Sequence, residues 1–462
     1  MKFNTKKISI VTTLLALFSL SACGPAFLPT EFDSKNLNSQ LLLKSPFTCN
    51  PRSVRTESKL KRLTKNEYVN TIIDLFPSAI ISDSNVKTAL DNIPEENSSL
   101  AYESFASQYD RSSIERYIST SEAISLAITQ TAARQNLVFP TCFESQPMTT
   151  LCFNSFMDSF GLRAFRRPLS QIEKDIYLEL YKEREATDQT LAIRGLMVSI
   201  LLSPQFLYKL EFNGAPVENE ENLVEIDEFE LASRLSFYLW GSMPDNELYE
   251  AAKSGQLKTD EGYQRQVKRM LGHSKTTAKF KMFYSKWLKL SDIPGLTAYS
   301  QSFANGIELN TELKEDMLEE IDNLISDVVW KTNGSFSDLF ATRKVYSQSQ
   351  SLLKIYGVNG QNPNEFTLGQ RAGLLNRAAF LVTGSDDTSP FIRGYRILED
   401  VLCRTLPRPD QLNDFDPSLL EEPPVEAEIS TRERFHRRTN SGTCMGCHSQ
   451  FNPLGFALGH YD

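Results

Sequence analysis

The sequence predicts a mostly α chain of several consecutive small helical units, the last of which ends in a Cys-x-x-Cys-His segment. Three observations carry this. Apolar residues recur at helical spacing behind capping signals along most of the chain. No block shows the period-two alternation of a half-buried strand. Finally, Cys444-Met445-Gly446-Cys447-His448, close to the C-terminus, sets the character of the last unit.

The N-terminus reads as an export signal over residues 1–22. Lys2, Lys6 and Lys7 precede an apolar run, Ile8 to Leu20, which leads into Leu20-Ser21-Ala22-Cys23. Small residues before a cysteine are the pattern of a leader cleaved ahead of a lipid-acceptor Cys23. The run is too short to span a bilayer, which takes about 20 apolar residues. The expected location is therefore the bacterial cell envelope, outside the cytoplasm and anchored to the membrane by lipid. Residues 23–58, polar and carrying Pro25, Pro29, Pro46 and Pro51, read as a tether.

Residues 59–140 form the first helical unit. Thr64-Lys65-Asn66-Glu67 is a capping box, Tyr68, Val69, Ile72, Ile73 and Phe76 follow at helical spacing, and Pro77 stops the run. A second amphipathic run passes through Ile114, Tyr117, Ile118, Ile124 and Ile128. Residues 141–213 form the second unit, with Phe153, Phe156, Met157 and Phe160 on one helix, a Ser170/Glu173 box, and an apolar helix from Ala192 to Leu202. An acidic linker over Gly214–Glu221 leads to the third unit, 222–350, whose first helix starts at Asp227 with Glu230. The last unit, 367–462, contains Thr388-Ser389-Pro390, a Pro-rich acidic loop from Pro407 to Pro424, the cluster Arg432, Arg434, His436, Arg437 and Arg438, and then the motif.

The formal charge is −9, and removing the three leader lysines takes it to −12. That balance argues against nucleic-acid binding. Of seven cysteines, Cys23 goes to lipid and Cys444 and Cys447 to the motif. The remaining four suit disulfides in an oxidising compartment. Cys142–Cys152 is the expected local loop, since sequence neighbours close most easily, and Cys49–Cys403 the expected long-range bridge.

Two cysteines at this spacing add to the two haem vinyl groups, and the adjacent histidine faces the iron as proximal ligand. The cofactor expected is one covalent haem c on Cys444, Cys447 and His448. A zinc site needs three or four ligands, and only His436 or His460 lies near enough to add one. A redox dithiol sits at a helix start in an αβ context that is not apparent here. Asn452-Pro453-Leu454-Gly455 reads as a turn, either an ordinary one or one whose backbone carbonyl accepts the His448 Nδ1 proton. For the distal position His436 is the first candidate, then His460, a remote methionine such as Met157 or Met243, or an open site. The arginines around His436, Arg437 among them, suit haem propionates or form a solvated basic face. The sequence holds no hydrolase elbow, zinc-protease pair or phosphate loop, and no catalytic residue can be assigned.

Taken together, five stretches resemble the planctomycete-type cytochrome-c-like proteins, multi-domain bacterial proteins built from consecutive domains of unknown function. They are Arg62-Leu63-Thr64 with Glu67-Tyr68 and Asn70-Thr71; Arg163-Ala164-Phe165-Arg166-Arg167-Pro168-Leu169; and Glu230-Leu231-Ala232-Ser233-Arg234-Leu235-Ser236 with Leu239-Trp240 and Met243-Pro244-Asp245. The last two are Thr388-Ser389-Pro390 with Arg393-Gly394, and the haem motif with Pro453-Leu454-Gly455-Phe456. The resemblance implies a cytochrome-c-like C-terminal unit and haem on Cys444, Cys447 and His448. Asn452 stands where the family tends to have an aspartate. Members usually continue into a further domain, so the resemblance implies that such a domain is missing or that the chain is a fragment.

The first functional expectation is electron transfer by a tethered haem, with a redox protein as partner. The alternatives are a haem-dependent oxidoreductase acting on a small molecule in a pocket of the helical body, and a surface or scaffold protein with a structural haem.

Overall fold

The computed structural model describes residues 60–95, 111–211, 214–217, 224–296, 306–358, 365–367, 369–382, 389–406, 429–440 and 442–461. The leader, Cys23, the tether with Cys49, Thr388 and the loop from Pro407 to Pro424 lie outside these residues. Among the described residues the protein is mostly helical, and its one sheet pairs two strands of two residues each. No described helix is long and apolar enough to cross a membrane.

The helix starts follow from local chemistry. At α1 (Lys65–Leu75) the Thr64 hydroxyl accepts from the Glu67 amide at 3.2 Å, and the Glu67 carboxylate accepts from the Thr64 amide at 3.0 Å. Both bonds satisfy amides that a helix N-terminus leaves without partners. The same reciprocal box opens the helices at Gln171–Glu185 and Glu228–Leu239, from Ser170/Glu173 and Asp227/Glu230. The 3.6-residue period then buries Tyr68, Ile72 and Leu75 of α1, whereas Ile73 falls outside the buried face and is exposed.

The chain divides into two compact units, Arg55–Phe280 and one containing Lys281–Asp462. The division falls inside the helix Ser274–Trp287 and within the predicted 222–350 unit. In the first unit, the predicted 59–140 and 141–213 units share one hydrophobic core. It joins Tyr68 and Ile72 of α1 and Ile124 and Ile128 of α2 (Arg111–Thr129) to Phe153 and Phe156 of α3 (Thr150–Phe156) and Ile193 and Ile200 of α4 (Gln189–Leu201). Backbone pairing adds to the joint. Strand β1 (Lys61–Arg62) runs antiparallel to β2 (Tyr208–Lys209), and the Leu63 amide donates to the Leu207 carbonyl at 2.8 Å. A strand pair that spans both predicted units leaves neither a separate core.

Cys142 and Cys152 form the expected disulfide, ten residues apart. It closes the loop ahead of α3 beside Phe139, Phe143 and Phe156, whose rings pack 4.7–5.1 Å apart. A ten-residue loop closes at little entropic cost. The expected partner of Cys403, Cys49, lies outside the described residues; Cys403 itself is exposed, with left-handed backbone (φ 54°).

The second unit is built around a fully buried ion pair. Arg377 Nη1 lies 3.0 Å from Glu320 Oε1 of α5 (Thr311–Ile325), and both side chains are inaccessible. The rest of the guanidinium donates to the Gly373 carbonyl at 3.1 Å and the Lys344 carbonyl at 2.8 Å. Tyr356 donates its hydroxyl proton to the other carboxylate oxygen and accepts from the Ala378 amide at 2.9 Å. Burial pushes the Tyr356 hydroxyl far above the usual tyrosine range, so it stays a donor.

Two outcomes follow. In Arg377→Met the Glu320 carboxylate is left buried without its cation, so urea denaturation should show a loss of about 3–5 kcal/mol; a loss near zero would mean the pair does not hold the unit together. Cys142→Ser with Cys152→Ser, or reduction, should lower stability by about 2–3 kcal/mol, as expected for a short closed loop. An unchanged midpoint with and without reductant would exclude that contribution.

Candidate functional site

The motif lies on α8 (Gly442–Phe456), which packs against α6 (Pro390–Arg396) and α7 (Thr431–Thr439). Ser389 caps α6, its hydroxyl accepting from the Ile392 amide at 3.4 Å with Pro390 at the first helical position. Ser430 caps α7 through the Glu433 amide at 3.2 Å. The sequence predicts a turn at Asn452–Gly455, but α8 continues to Phe456 with Pro453 inside it. Close packing overrides proline's preference here. At Gly455 an added Cβ would sit 1.8 Å from the Pro390 carbonyl oxygen, and at Gly394 one would sit 2.2 Å from the Phe451 carbonyl oxygen. The two backbones touch where they cross, which only glycine permits. Arg393 fixes the crossing further, donating to the Leu381 carbonyl at 2.9 Å and the Leu458 carbonyl at 3.4 Å.

Spacing of i, i+3 and i+4 puts Cys444, Cys447 and His448 on one face of α8. Both thiols are free and partly exposed, Met445 is exposed, and an added Cβ at Gly446 would meet nothing within 4 Å. The His448 ring lies 4.4 Å from the Phe391 ring and 4.7 Å from the Phe451 ring, and Phe391 meets Phe435 of α7 edge-on at 4.6 Å. Burial pushes the imidazolium below the usual histidine range, and the hydrogen bond with Asn452 acts the other way.

The acceptor for His448 is not a backbone carbonyl, as one reading of the turn implies, but a side chain. His448 Nδ1 lies 3.0 Å from Asn452 Oδ1, Asn452 Nδ2 donates to Thr439 Oγ1 at 2.8 Å, and the Thr439 hydroxyl donates to the Phe435 carbonyl at 3.0 Å. Continuing the helix carries Asn452 one turn past His448, onto its face. The pairing engages Nδ1 and leaves Nε2 as the ring nitrogen that could hold a metal. Free thiols, an imidazole with Nδ1 engaged and an open surface over Gly446 fit a covalently attached haem.

The structure does not bring His436 to His448. α7 buries Arg434, Phe435 and Thr439, which turns His436 to the exposed side, its ring 6.3 Å from Phe456, two helical turns beyond His448. His460 is exposed as well, and Met157 and Met243 belong to the core of the first unit. The arginines are also engaged locally. Arg437 pairs with Glu433 at 2.8 Å, Arg432 lies over the Phe456 ring at 5.5 Å, and the buried Arg434 lies 5.2 Å from the Phe435 ring. Among the described residues no group of three or more His, Cys, Asp or Glu side chains is placed to hold a metal ion. Sequence reasoning missed Phe391, Phe435, Phe451 and Thr439. No local signal marks them, although the i, i+4 step from Phe435 to Thr439 and from His448 to Asn452 places each pair on one helix face.

A run of helical units, the last presenting two free thiols and an imidazole on one helix face, is the class that this fold and site define. Comparison with known families places it more closely. PSD5 (protein of unknown function, DUF1595) matches residues 152–211, PSD4 (protein of unknown function, DUF1592) matches 226–358, and PSCyt3 (protein of unknown function, DUF1588) matches 371–462. The chain thus carries three consecutive domains of the planctomycete cytochrome-c-like families. The third contains α6, α7 and α8. No curated protein and no solved structure matches the chain.

The crossing of α6 and α8 yields a direct test. Gly455→Ala forces the two backbones apart, and thermal unfolding should show a loss of about 3 kcal/mol or more. A melt like that of the parent would show that the helices do not meet there.

Proposed function

We propose that this is an extracytoplasmic, lipid-anchored electron-transfer protein carrying one haem c, attached through Cys444 and Cys447 and ligated by His448. The observation that carries the reading is the donor set on α8. Two free thiols and an imidazole share one face, and Asn452 takes up His448 Nδ1, leaving Nε2 to ligate. Bound there, the haem supplies a one-electron iron couple. The chain's own part is to hold the imidazole against Phe391 and Phe451, on helices whose backbones are in contact. The cytochrome-c-like third domain supports a haem protein.

The disulfide Cys142–Cys152 supports an oxidising compartment. Leu20-Ser21-Ala22-Cys23 supports export and acylation at Cys23. The partner is then a redox protein met at the cell envelope, and the acidic balance argues against nucleic acid.

Exported from a host that attaches c-type haem, the purified protein should retain one haem after denaturation and acid-acetone extraction, with a low-spin spectrum unchanged by carbon monoxide. Cys444→Ser with Cys447→Ser should lose it. Absence of covalent haem from the parent protein would overturn the reading. Rapid carbon monoxide binding by the reduced protein would replace electron transfer with an open-site oxidoreductase.

A further inference from the structure

We propose that Asn452, held by Thr439, is a positioning residue that locks His448 in its Nδ1-protonated tautomer and, as a neutral acceptor, keeps the reduction potential higher than a carboxylate there would. The second half rests on the haem reading. The first half concerns this chain alone.

The direction of the hydrogen bonds carries the argument. A threonine hydroxyl has one proton, and Thr439 gives it to the Phe435 carbonyl at 3.0 Å. Toward Asn452, then, Thr439 can only accept, and the side chain presenting Nδ2 at 2.8 Å supplies the donor. That orientation turns Asn452 Oδ1 toward His448 at 3.0 Å. An amide oxygen only accepts, so the proton between them belongs to Nδ1 and Nε2 is bare. Asn452 and Thr439 are 6% and 4% exposed, which leaves water little chance to take either place. The backbone carbonyl of one helix thereby sets the tautomer of a histidine on another.

The acceptor's charge is the second lever. A carboxylate at 452 would draw the Nδ1 proton more strongly and make the imidazole a stronger donor to iron. It would also place a buried negative charge near the metal, which favours the oxidised form with its extra positive charge. The neutral amide avoids both effects.

Two measurements separate the halves. In haem-free protein labelled with 15N, the imidazole shifts of His448 should report the Nδ1-protonated form, and Asn452→Leu and Thr439→Val should both move the population toward the Nε2-protonated form. Parent protein already in the Nε2-protonated form would overturn the lock, whatever happens with haem. In haem-loaded protein, Asn452→Asp keeps the shape and should shift the one-electron equilibrium at least tenfold toward the oxidised state, a fall of 59 mV. The iron–histidine stretching band should rise with it. A shift below twofold in a protein that retains covalent haem would overturn the second half. A parent protein without haem would overturn the haem reading and that half together, with the tautomer result unaffected. Circular dichroism of each variant guards against misfolding, and Asn452→Asp, nearly isosteric, remains informative if Asn452→Leu does not fold.

Discussion

Each unit depends on buried and half-buried guanidinium groups that donate to backbone carbonyls at helix ends and in the segments between helices. A helix leaves its last four carbonyls without intrahelical partners, and a chain of many short helices has many such ends inside the protein. Arg166 meets four of these needs at once. Its two terminal nitrogens donate to the carbonyls of Ala164, Gln205, Phe206 and Tyr208 at 2.6–3.2 Å. Burial lowers its pKa to about 10, so it remains charged at neutral pH. In the second unit Arg377 serves Gly373, Thr342 and Lys344, Arg393 serves Leu381 and Leu458, and Arg396 serves Phe380 and Leu288. The positive charge also suits the negative end of the helix dipole. Five fixed donors on one planar group do what lysine's point charge would not.

That requirement explains which parts of the fold are legible in the sequence. Helix starts are written locally, because a Thr, Ser or Asp cap and a Glu three residues on act within one turn; Thr64, Ser170 and Asp227 all cap as predicted. Several helix ends are not, because their carbonyls are met by arginines from elsewhere in the chain. Arg166 reaches about forty residues ahead, and nothing around Gln205 announces it. Packing across the predicted units is hidden for the same reason. A strand pair joining Lys61 to Lys209 links two stretches that periodicity alone presents as separate helical units.

The site divides along the same line. That Cys444, Cys447 and His448 share one helix face is legible because their spacing of three and four residues is local. Their surroundings are not. Phe391 reaches His448 from α6, with Phe435 of α7 edge-on against it, and the backbone contact at Gly394 and Gly455 makes α6 and α8 neighbours. His436 illustrates the error that proximity in sequence invites. It lies twelve residues before His448, yet α7 spends its buried face on Arg434, Phe435 and Thr439, and the histidine is left outside. Asn452 misleads in the other direction. Read as a turn residue, it looks like a weakened acidic position, but as a helical residue four past His448 it is the group aimed at the ring.

The two halves of the site make different demands on rigidity, and the structure meets them with different bonds. On the proposed reading, covalent attachment at Cys444 and Cys447 would tolerate some play, because a thioether holds whatever the helix does. An imidazole nitrogen must instead face one point, so His448 is held by a directional bond and two aromatic rings on separate helices. Directionality is useful only if the helices cannot slide, which the Gly394 and Gly455 contact prevents, since any larger residue at either place would separate the backbones. Arg393 then ties that contact to the carbonyls of Leu381 and Leu458 on either side of it. The same kind of buried arginine that closes helix ends throughout the chain thus also fixes the crossing from which the histidine takes its aim.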